Sequence, residues 1–369
     1  MNNKIALYLP TLNGGGAEHF MVRLANGLAE SGYSVDLVVV NAVGPNLQRV
    51  SKRVNVVNLR CTRVLTSFPK LVSYLRKTKP LAIISTQNHA SIIAILAHFF
   101  ARSKSKLYIR QATILNRTEK SKKGFDFFKT LLLILAKRTD LVITTTEKMK
   151  REFLEESSLP TNQVIVIPNP ISIDLVTKQS KEDVDHPWFF SDSRIPVVIA
   201  VGRLEAVKGF DKLIESFALL RQKVPVRLVI LGEGVLRSHL ECIVKNLNVE
   251  GDVLMPGFVD NIYPYLSRAE VFVLTSHYEG FPNGMLEAMA CGTNVAAFNC
   301  PGGVSEILEE GKWGALIPPG DTQSLAEALH YTLSTSNNPD VICRAKDFSM
   351  ESVLDKYLNI LIPNEKREL

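Results

Sequence analysis

Lys4-Ile-Ala-Leu-Tyr-Leu-Pro-Thr-Leu-Asn-Gly-Gly-Gly-Ala-Glu18 holds, within fifteen residues, an apolar run, a glycine cluster and the start of a helical pattern. The run Lys4–Leu12 is continuous rather than alternating, which marks a parallel strand covered on both faces. The helical pattern runs from Ala17 to Ser31 and stops at Gly32. A strand, a glycine turn and a helix form the first unit of a doubly wound α/β sheet.

The same grammar repeats outward. Strands are predicted at Ser34–Val40, Arg53–Leu59, Leu81–Thr86, Lys106–Gln111, Leu141–Thr146 and Val164–Asn169. Helices are predicted at Phe68–Lys79, Ala90–Ala101 and Phe125–Arg138. Periodicity fails between Ile171 and Arg194, a polar stretch containing His186-Pro-Trp, so 171–194 reads as a linker. A second series follows. Its strands are Val197–Val201, Val226–Leu231, Val253–Pro256, Val271–Thr275, Asn294–Phe298 and Ala315–Ile317, with helices such as Gly209–Lys223 and Asn283–Cys291. The predicted organisation is an N-terminal Rossmann-like domain over 1–170, a linker, a second Rossmann-like domain over 195–345, and a helical tail over 346–369 that packs back on the first domain. For 369 residues, two domains match the usual domain size.

Composition narrows the class. A hydrophobic content of 46% with 22% charged residues is that of an ordinary globular chain. No apolar run reaches the roughly 18 residues needed to span a bilayer. The start of the chain lacks the pattern of a secretory signal, and Cys61, Cys242, Cys291, Cys300 and Cys343 form no CxxC pair, so reduced thiols and a cytoplasmic location are expected. Residues 1–180 carry 26 Lys and Arg against 11 Asp and Glu, a net +15, while the remainder carries −9. A basic half suits an anionic partner, whether phosphate, membrane surface or nucleic acid, although a solvated surface gives the same count. No nucleic-acid reading motif accompanies it.

Four motifs follow strands, where open parallel sheets bind ligands. Gly14-Gly15-Gly16-Ala17-Glu18 opens the first helix and suits an anion, or is a plain tight turn. It matches neither GxGxxG nor the P-loop. Gly202-Arg203-Leu204 with Lys208-Gly209 places two cations at a strand end, either a diphosphate clamp or solvated charges. Glu279-Gly-Phe-Pro-Asn-Gly-Met-Leu-Glu287 puts one carboxylate on a loop and a second one turn into a helix. Paired carboxylates suit a polyol, and the adjacent helix start suits a phosphate. Cys300-Pro-Gly-Gly-Val-Ser-Glu306 opens another helix and lines the same region or is a structural turn.

GGGAE, GRL…KG and EGFPNGMLE, in that order over nearly the whole chain, resemble glycosyltransferase family 4. The stretch Phe298–Ile307 resembles the subset that extends lipid-linked or lipopolysaccharide precursors in bacteria. The resemblance implies the GT-B fold, two Rossmann-like domains facing across a cleft. It also implies a retaining transfer of a hexose or N-acetylhexosamine from a nucleotide-sugar, UDP-linked by expectation, without a metal or other cofactor; no DxD-like metal motif stands in the expected place. Glu279 would contact the donor sugar and Glu287 the ribose. Arg203 and Lys208 would neutralise the departing diphosphate. Gly15 and Gly16 would lie in the N-domain loop, the backbone of Gly280, Phe281, Pro282 and Asn283 would meet sugar hydroxyls, and the turn at Val259 would pack the base.

Many relatives carry a histidine beside the reacting carbon at an N-domain strand end. Here Arg110-Gln111 stands there instead, and His89 is the nearest histidine, so His89 and Arg110 are both candidate contacts. Phe125–Arg138, with Arg102, Lys104, Lys106, Lys120, Lys122 and Lys123, reads as an amphipathic helix on an anionic membrane, or as a core-packed helix. The implied acceptor is a polyprenyl-diphosphate-linked or otherwise lipid-anchored saccharide, presented at the inner face of the cytoplasmic membrane. A sugar-nucleotide epimerase of the same architecture and a non-catalytic sugar-nucleotide-binding protein are the rival readings.

Overall fold

The structure, a computed structural model, describes residues 3–13, 15–111, 124–189 and 195–361, with backbone alone at 124–126. Lys120, Lys122 and Lys123 lie outside the described residues, as does Gly14. The chain forms two compact units, Met1–Pro170 with Met350–Leu369, and Ile171–Ser349.

The first unit holds seven parallel strands: β1 (Lys4–Leu9), β2 (Ser34–Val39), β3 (Val54–Asn58), β4 (Ala82–Thr86), β5 (Lys106–Gln111), β6 (Leu141–Thr144) and β7 (Val164–Val166). Their order is β3-β2-β1-β4-β5-β6-β7. Its helices are α1 (Gly16–Glu30), α2 (Phe68–Thr78), α3 (Asn88–Ala101), α4 (Gly124–Ala136) and α5 (Glu147–Ser157). The continuous apolar run of β1 divides as a strand period requires. Ile5, Leu7 and Leu9 enter one core with α1, and Ala6 and Tyr8 enter the other with α2 and α3.

The second unit begins with α6 (Ile173–Gln179). Then follow β8 (Val197–Val201), α7 (Phe210–Arg221), β9 (Arg227–Leu231), α8 (Arg237–Asn246), β10 (Val253–Gly257) and α9 (Tyr263–Leu266). The remaining elements are β11 (Val271–Leu274), α10 (Asn283–Ala290), β12 (Asn294–Phe298), α11 (Val304–Ile307), β13 (Ala315–Ile317), α12 (Thr322–Ser334) and α13 (Val341–Lys346). The six parallel strands run β10-β9-β8-β11-β12-β13. Strand order therefore reverses between β1 and β4 in one sheet and between β8 and β11 in the other, which opens a crevice at the carboxyl ends of each pair.

Two boundaries differ from the sequence reading. The stretch 171–194 was expected to link the domains, yet Ile171, Val176, Val184 and Phe189 are buried in the second unit's core. Their irregular spacing hides them from a periodicity search. The strand expected over Val164–Asn169 ends at Val166, because Pro168 and Pro170 cannot donate to a ladder. The tail forms α14 (Met350–Leu361), whose Val353, Tyr357 and Leu361 recur every fourth residue and are buried in the first unit. The close approach depends on Gly27, where a Cβ would lie 3.1 Å from Met350 Cε. No helix among the described residues is long and apolar enough to cross a membrane.

One buried charge ties the first unit's edge together. Asp36 on β2 accepts from Lys4 Nζ at 3.1 Å, Asn55 Nδ2 at 2.9 Å and the Tyr74 hydroxyl at 2.7 Å. Burial, reinforced by the bond to Asp36, pushes the Tyr74 hydroxyl pKa upward, so Tyr74 stays a donor. Asp36→Ala removes the carboxylate that Lys4, Asn55 and Tyr74 share. It is expected to destabilise the unit by roughly 3 kcal/mol, read as a lower denaturation midpoint in urea; an unchanged midpoint contradicts this account.

Candidate active site

In the second unit, short loops after β8, β9, β11 and β12 converge. Gly232, at φ 141°, sits where a Cβ would overlap the Gly202 carbonyl, so the loops after β8 and β9 touch backbone to backbone. Ala206–Lys208 form a single 3₁₀ turn that ends at Gly209. Gly209 has φ 60°, and a Cβ there would overlap the Thr275 carbonyl oxygen. The Thr275 hydroxyl donates to the Lys208 carbonyl at 3.0 Å, and His277 N–H donates to the Val207 carbonyl at 2.8 Å. The turn is thereby clamped to the end of β11.

That clamp places Lys208 Nζ 2.7 Å from Glu279 Oε1, across 71 residues of sequence. The Ser276 hydroxyl donates to the same oxygen at 2.6 Å. Glu279 is fixed from the other side. Its N–H donates to the Pro301 carbonyl at 2.9 Å, and Gly302, at φ 131°, lies where a side chain would collide with the Glu279 carbonyl. The Cys300-Pro-Gly-Gly turn therefore supports the carboxylate from behind.

These groups border a pocket of about 160 Å³ with Thr275, Phe281 and Asn283 on its walls. It opens at the carboxyl ends of β8 and β11, where the strand order reverses. Pro282 provides no side-chain cap for α10, whose first residues Asn283 and Gly284 line the pocket, although the Asn283 N–H already donates to the Phe281 carbonyl at 2.9 Å. The Glu279 side chain is only 13% exposed, which strengthens its interaction with Lys208 relative to one in water. Such a site offers one cation, one oriented carboxylate, a hydroxyl and a helix start to a ligand carrying both phosphate and hydroxyl groups.

The other predicted residues fall as follows. Glu287 is half-buried one turn after Asn283 and on the same face of α10. Burial, and then the Glu287 charge, push the Cys291 thiol up to about 12. Gly280 and Phe281 continue the loop after Glu279; Gly280 is half-buried, and Phe281 is buried against Phe348 with ring centroids 6.0 Å apart. Val259 packs against the core beyond β10, just after Gly257 at φ 94°. Arg203 does not share the ion pair of Lys208. It is 75% exposed and paired with Glu205 at 2.7 Å, so the two cations have different partners. Ser276 was not singled out from sequence; a hydroxyl three residues before the loop glutamate was its signal.

In the first unit, the β1–β4 reversal is bordered by Gly15, Gly16, Glu18, Gln87 and His89. Gly15 caps α1. Gln87 sits between β4 and α3 with φ 70°, a strained value for a residue with a side chain, and its amide donates to Glu18 Oε1 at 2.9 Å. Burial lowers the His89 pKa, opposed by Glu18, so the imidazole is neutral near pH 7. Arg110 is buried at the end of β5. Its guanidinium lies 3.8 Å from the Phe20 ring centroid and donates to Asn169 through Nη2. It is packed inside the unit rather than presented to solvent.

Comparison with known proteins bears on the family and the fold. The model of Glycosyltransferase Family 4 matches residues 14–175, and that of Glycosyl transferases group 1 matches residues 185–345. The chain belongs to glycosyltransferase family 4 and is a glycosyltransferase of the GT-B class. It is 27% identical over 342 residues to a Campylobacter jejuni N-acetylgalactosaminyltransferase acting on N-acetylgalactosamine-N,N'-diacetylbacillosaminyl-diphospho-undecaprenol, covering 88% of this chain and 89% of that one. It is 25% identical to the lipopolysaccharide core biosynthesis glycosyltransferase LpsE of Rhizobium meliloti, covering 94% and 96%. The structure of Anabaena HepE in complex with UDP superposes with a TM-score of 0.79 at 21% identity, over 97% of this chain and 99% of that one.

The backbone contacts behind Glu279 can be tested. Gly302→Ala should displace the Glu279 loop and lower kcat by roughly 10²-fold, with the protein still folded by circular dichroism. Activity equal to wild type would show that the loop does not rely on that contact.

Proposed function

We infer that this chain transfers a hexose or N-acetylhexosamine, with retention of anomeric configuration, from a UDP-linked sugar to a lipid-linked or lipopolysaccharide-type saccharide. The observation that carries the reading is the Lys208–Glu279–Ser276 cluster at the β8–β11 reversal. A cation at that point neutralises charge that develops on a departing diphosphate. Glu279 orients donor hydroxyls, Glu287 takes the ribose, and the backbone from Gly280 to Asn283 completes the sugar contacts. Arg203, on the same loop system, swings from Glu205 to the diphosphate when the donor binds. The relatives that act on undecaprenol-linked and lipopolysaccharide substrates support the acceptor class, and the UDP complex of a structural neighbour supports the nucleotide.

In this reading the acceptor hydroxyl attacks on the face from which the diphosphate departs, and the leaving phosphate takes its proton. His89, neutral and beside Glu18, is the first unit's candidate contact with the reacting sugar. Cationic side chains take the place of a divalent metal, and the reaction runs in the cytoplasm at the inner face of the membrane.

Glu279→Gln is expected to lower kcat by roughly 10²- to 10³-fold, and Arg203→Ala to weaken donor binding and turnover together. Transfer near the wild-type rate in either variant refutes the assignment. Transfer should persist in a chelator, and nuclear magnetic resonance of the product should show the donor's anomeric configuration. Conversion of the donor without any acceptor would favour an epimerase instead.

A further inference from the structure

The second unit has another hollow, at the end of its sheet away from Lys208 and Glu279. It measures about 210 Å³ and lies between the starts of β12 and β13, the last turn of α12 and the turn that follows α12. Asn294, Trp313, Tyr331, Thr332 and Asn338 stand on its walls. The five residues of β12 separate it from the carboxyl ends of the strands, roughly 16 Å away. A sugar ring held here is out of reach of Glu279. Gly314 also lines the hollow and admits no side chain, since a Cβ there would lie 2.7 Å from the Val295 carbonyl oxygen.

The two aromatic side chains differ in their surroundings. Trp313 is half-buried and pinned by its edge. Its Nε1 donates to Glu309 Oε2 at 2.8 Å, and Lys312 Nζ lies 4.8 Å from the ring centroid. Tyr331, in the last turn of α12, is 70% exposed. It offers a flat apolar face that loses little side-chain freedom when it is covered.

The polar groups on the walls have one sense. Asn338 Nδ2 donates to the Thr332 and Thr335 carbonyls, each at 3.2 Å. Asn294 Nδ2 donates to the Glu270 carbonyl at 3.2 Å, and the Thr332 hydroxyl to the Ala328 carbonyl at 2.9 Å. These donors are spent within the chain, so what the three residues keep for a ligand is acceptor oxygen. The charges around the hollow are engaged with one another. Lys312 pairs with Glu309 at 2.9 Å, and Glu309 also meets Arg344 at 2.9 Å. Asp340 accepts from the Ile342 and Cys343 N–H groups at 3.1 and 3.3 Å as the cap of α13. Glu310 is exposed beside Glu309 in the chain.

An anion entering this hollow would face carbonyl oxygens. A wholly apolar group would cover those oxygens and give them no donor, which is costly. A ring with hydroxyl donors on its edge and C–H groups on its face satisfies both the oxygens and the aromatic wall.

We propose that this hollow is a second saccharide site. It takes a neutral pyranose whose face stacks on Tyr331 and whose hydroxyls donate to the amide oxygens of Asn294 and Asn338. The inference goes beyond the proposed transfer: it adds a place where a saccharide is held away from the reacting sugar. Its test needs neither transfer nor a particular donor.

The sequence holds two tryptophans, so Trp188→Phe leaves Trp313 as the sole indole. The full chain with that substitution is titrated with the methyl glycosides of glucose, galactose, N-acetylglucosamine and N-acetylgalactosamine, in saturating UDP. Indole emission should change saturably with at least one of them, with a Kd on the order of 1 mM, and the change should persist at high salt. Saturation-transfer nuclear magnetic resonance on the unsubstituted chain should report the same binding. Tyr331→Ala should weaken it roughly fivefold, and Tyr331→Phe should retain it, both with the melting temperature unchanged. No binding of any of the four glycosides in either measurement, displacement by UDP, or equal binding by Tyr331→Ala overturns the proposal. So does a wild-type dimer in sedimentation velocity that Tyr331→Ala dissociates.

Discussion

Gly209 and the Thr275 carbonyl occupy space that a side chain would need, and Gly302 and the Glu279 carbonyl do the same. These two backbone contacts hold the turn carrying Lys208 against the end of β11, and hold the loop carrying Glu279 against the turn after β12. The ion pair between them follows from that placement. A partly buried pair supplies little net stability by itself, because desolvation offsets most of its Coulomb attraction. Its geometry is set by the backbone instead. Lys208 is therefore held in one orientation by the fold, and in the function proposed above a phosphate arriving there would meet a cation that needs no reorganisation.

The two sheets use their strand-order reversals in different ways. At β8–β11 the crevice holds a cation, a carboxylate and an uncapped helix start. At β1–β4 it holds two glycines, a neutral histidine and a Glu18–Gln87 hydrogen bond. The left-handed backbone at Gln87 is tolerated because its amide reaches Glu18, which sits one residue beyond the glycine pair and Ala17. Strain of this kind persists where surroundings fix it, and such places cluster at functional sites. Among the described residues, the second crevice thus carries an oriented cation and the first an acid already engaged by an amide.

Much of the fold was legible because buried parallel strands leave a plain signature. The runs around Ile5, Val198 and Val273 are apolar at successive positions, and both faces of each sheet are covered. What failed was anything depending on contacts at irregular spacing. Ile171, Val176, Val184 and Phe189 look like a polar linker until the second unit closes around them. At the site, the motif order pointed to Glu279 and Lys208 separately. Their 2.7 Å contact is a product of the β8–β11 adjacency, which no local pattern encodes. Arg203 and Lys208, near in sequence, take different partners because the turn at Gly209 carries one inward while the other stays with Glu205.

The absence of acid between Asp36 and Glu119 reaches the interior as well as the surface. Arg110 lies inside that stretch and is buried, yet no carboxylate meets it among the described residues. The Phe20 ring and the Asn169 amide oxygen take that place, with Tyr357 of α14 adjacent. A buried cation is ordinarily matched by an acid. Here burial lowers the guanidinium's pKa, opposed by Tyr357. Matching it with a π face and an amide dipole keeps the first unit's positive charge undiminished. The match is partial: Arg110 Nε and Nη1 and the Tyr357 hydroxyl are buried without a hydrogen-bond partner among the described residues, so the ring and one amide oxygen hold a cation whose remaining donors are left unmet.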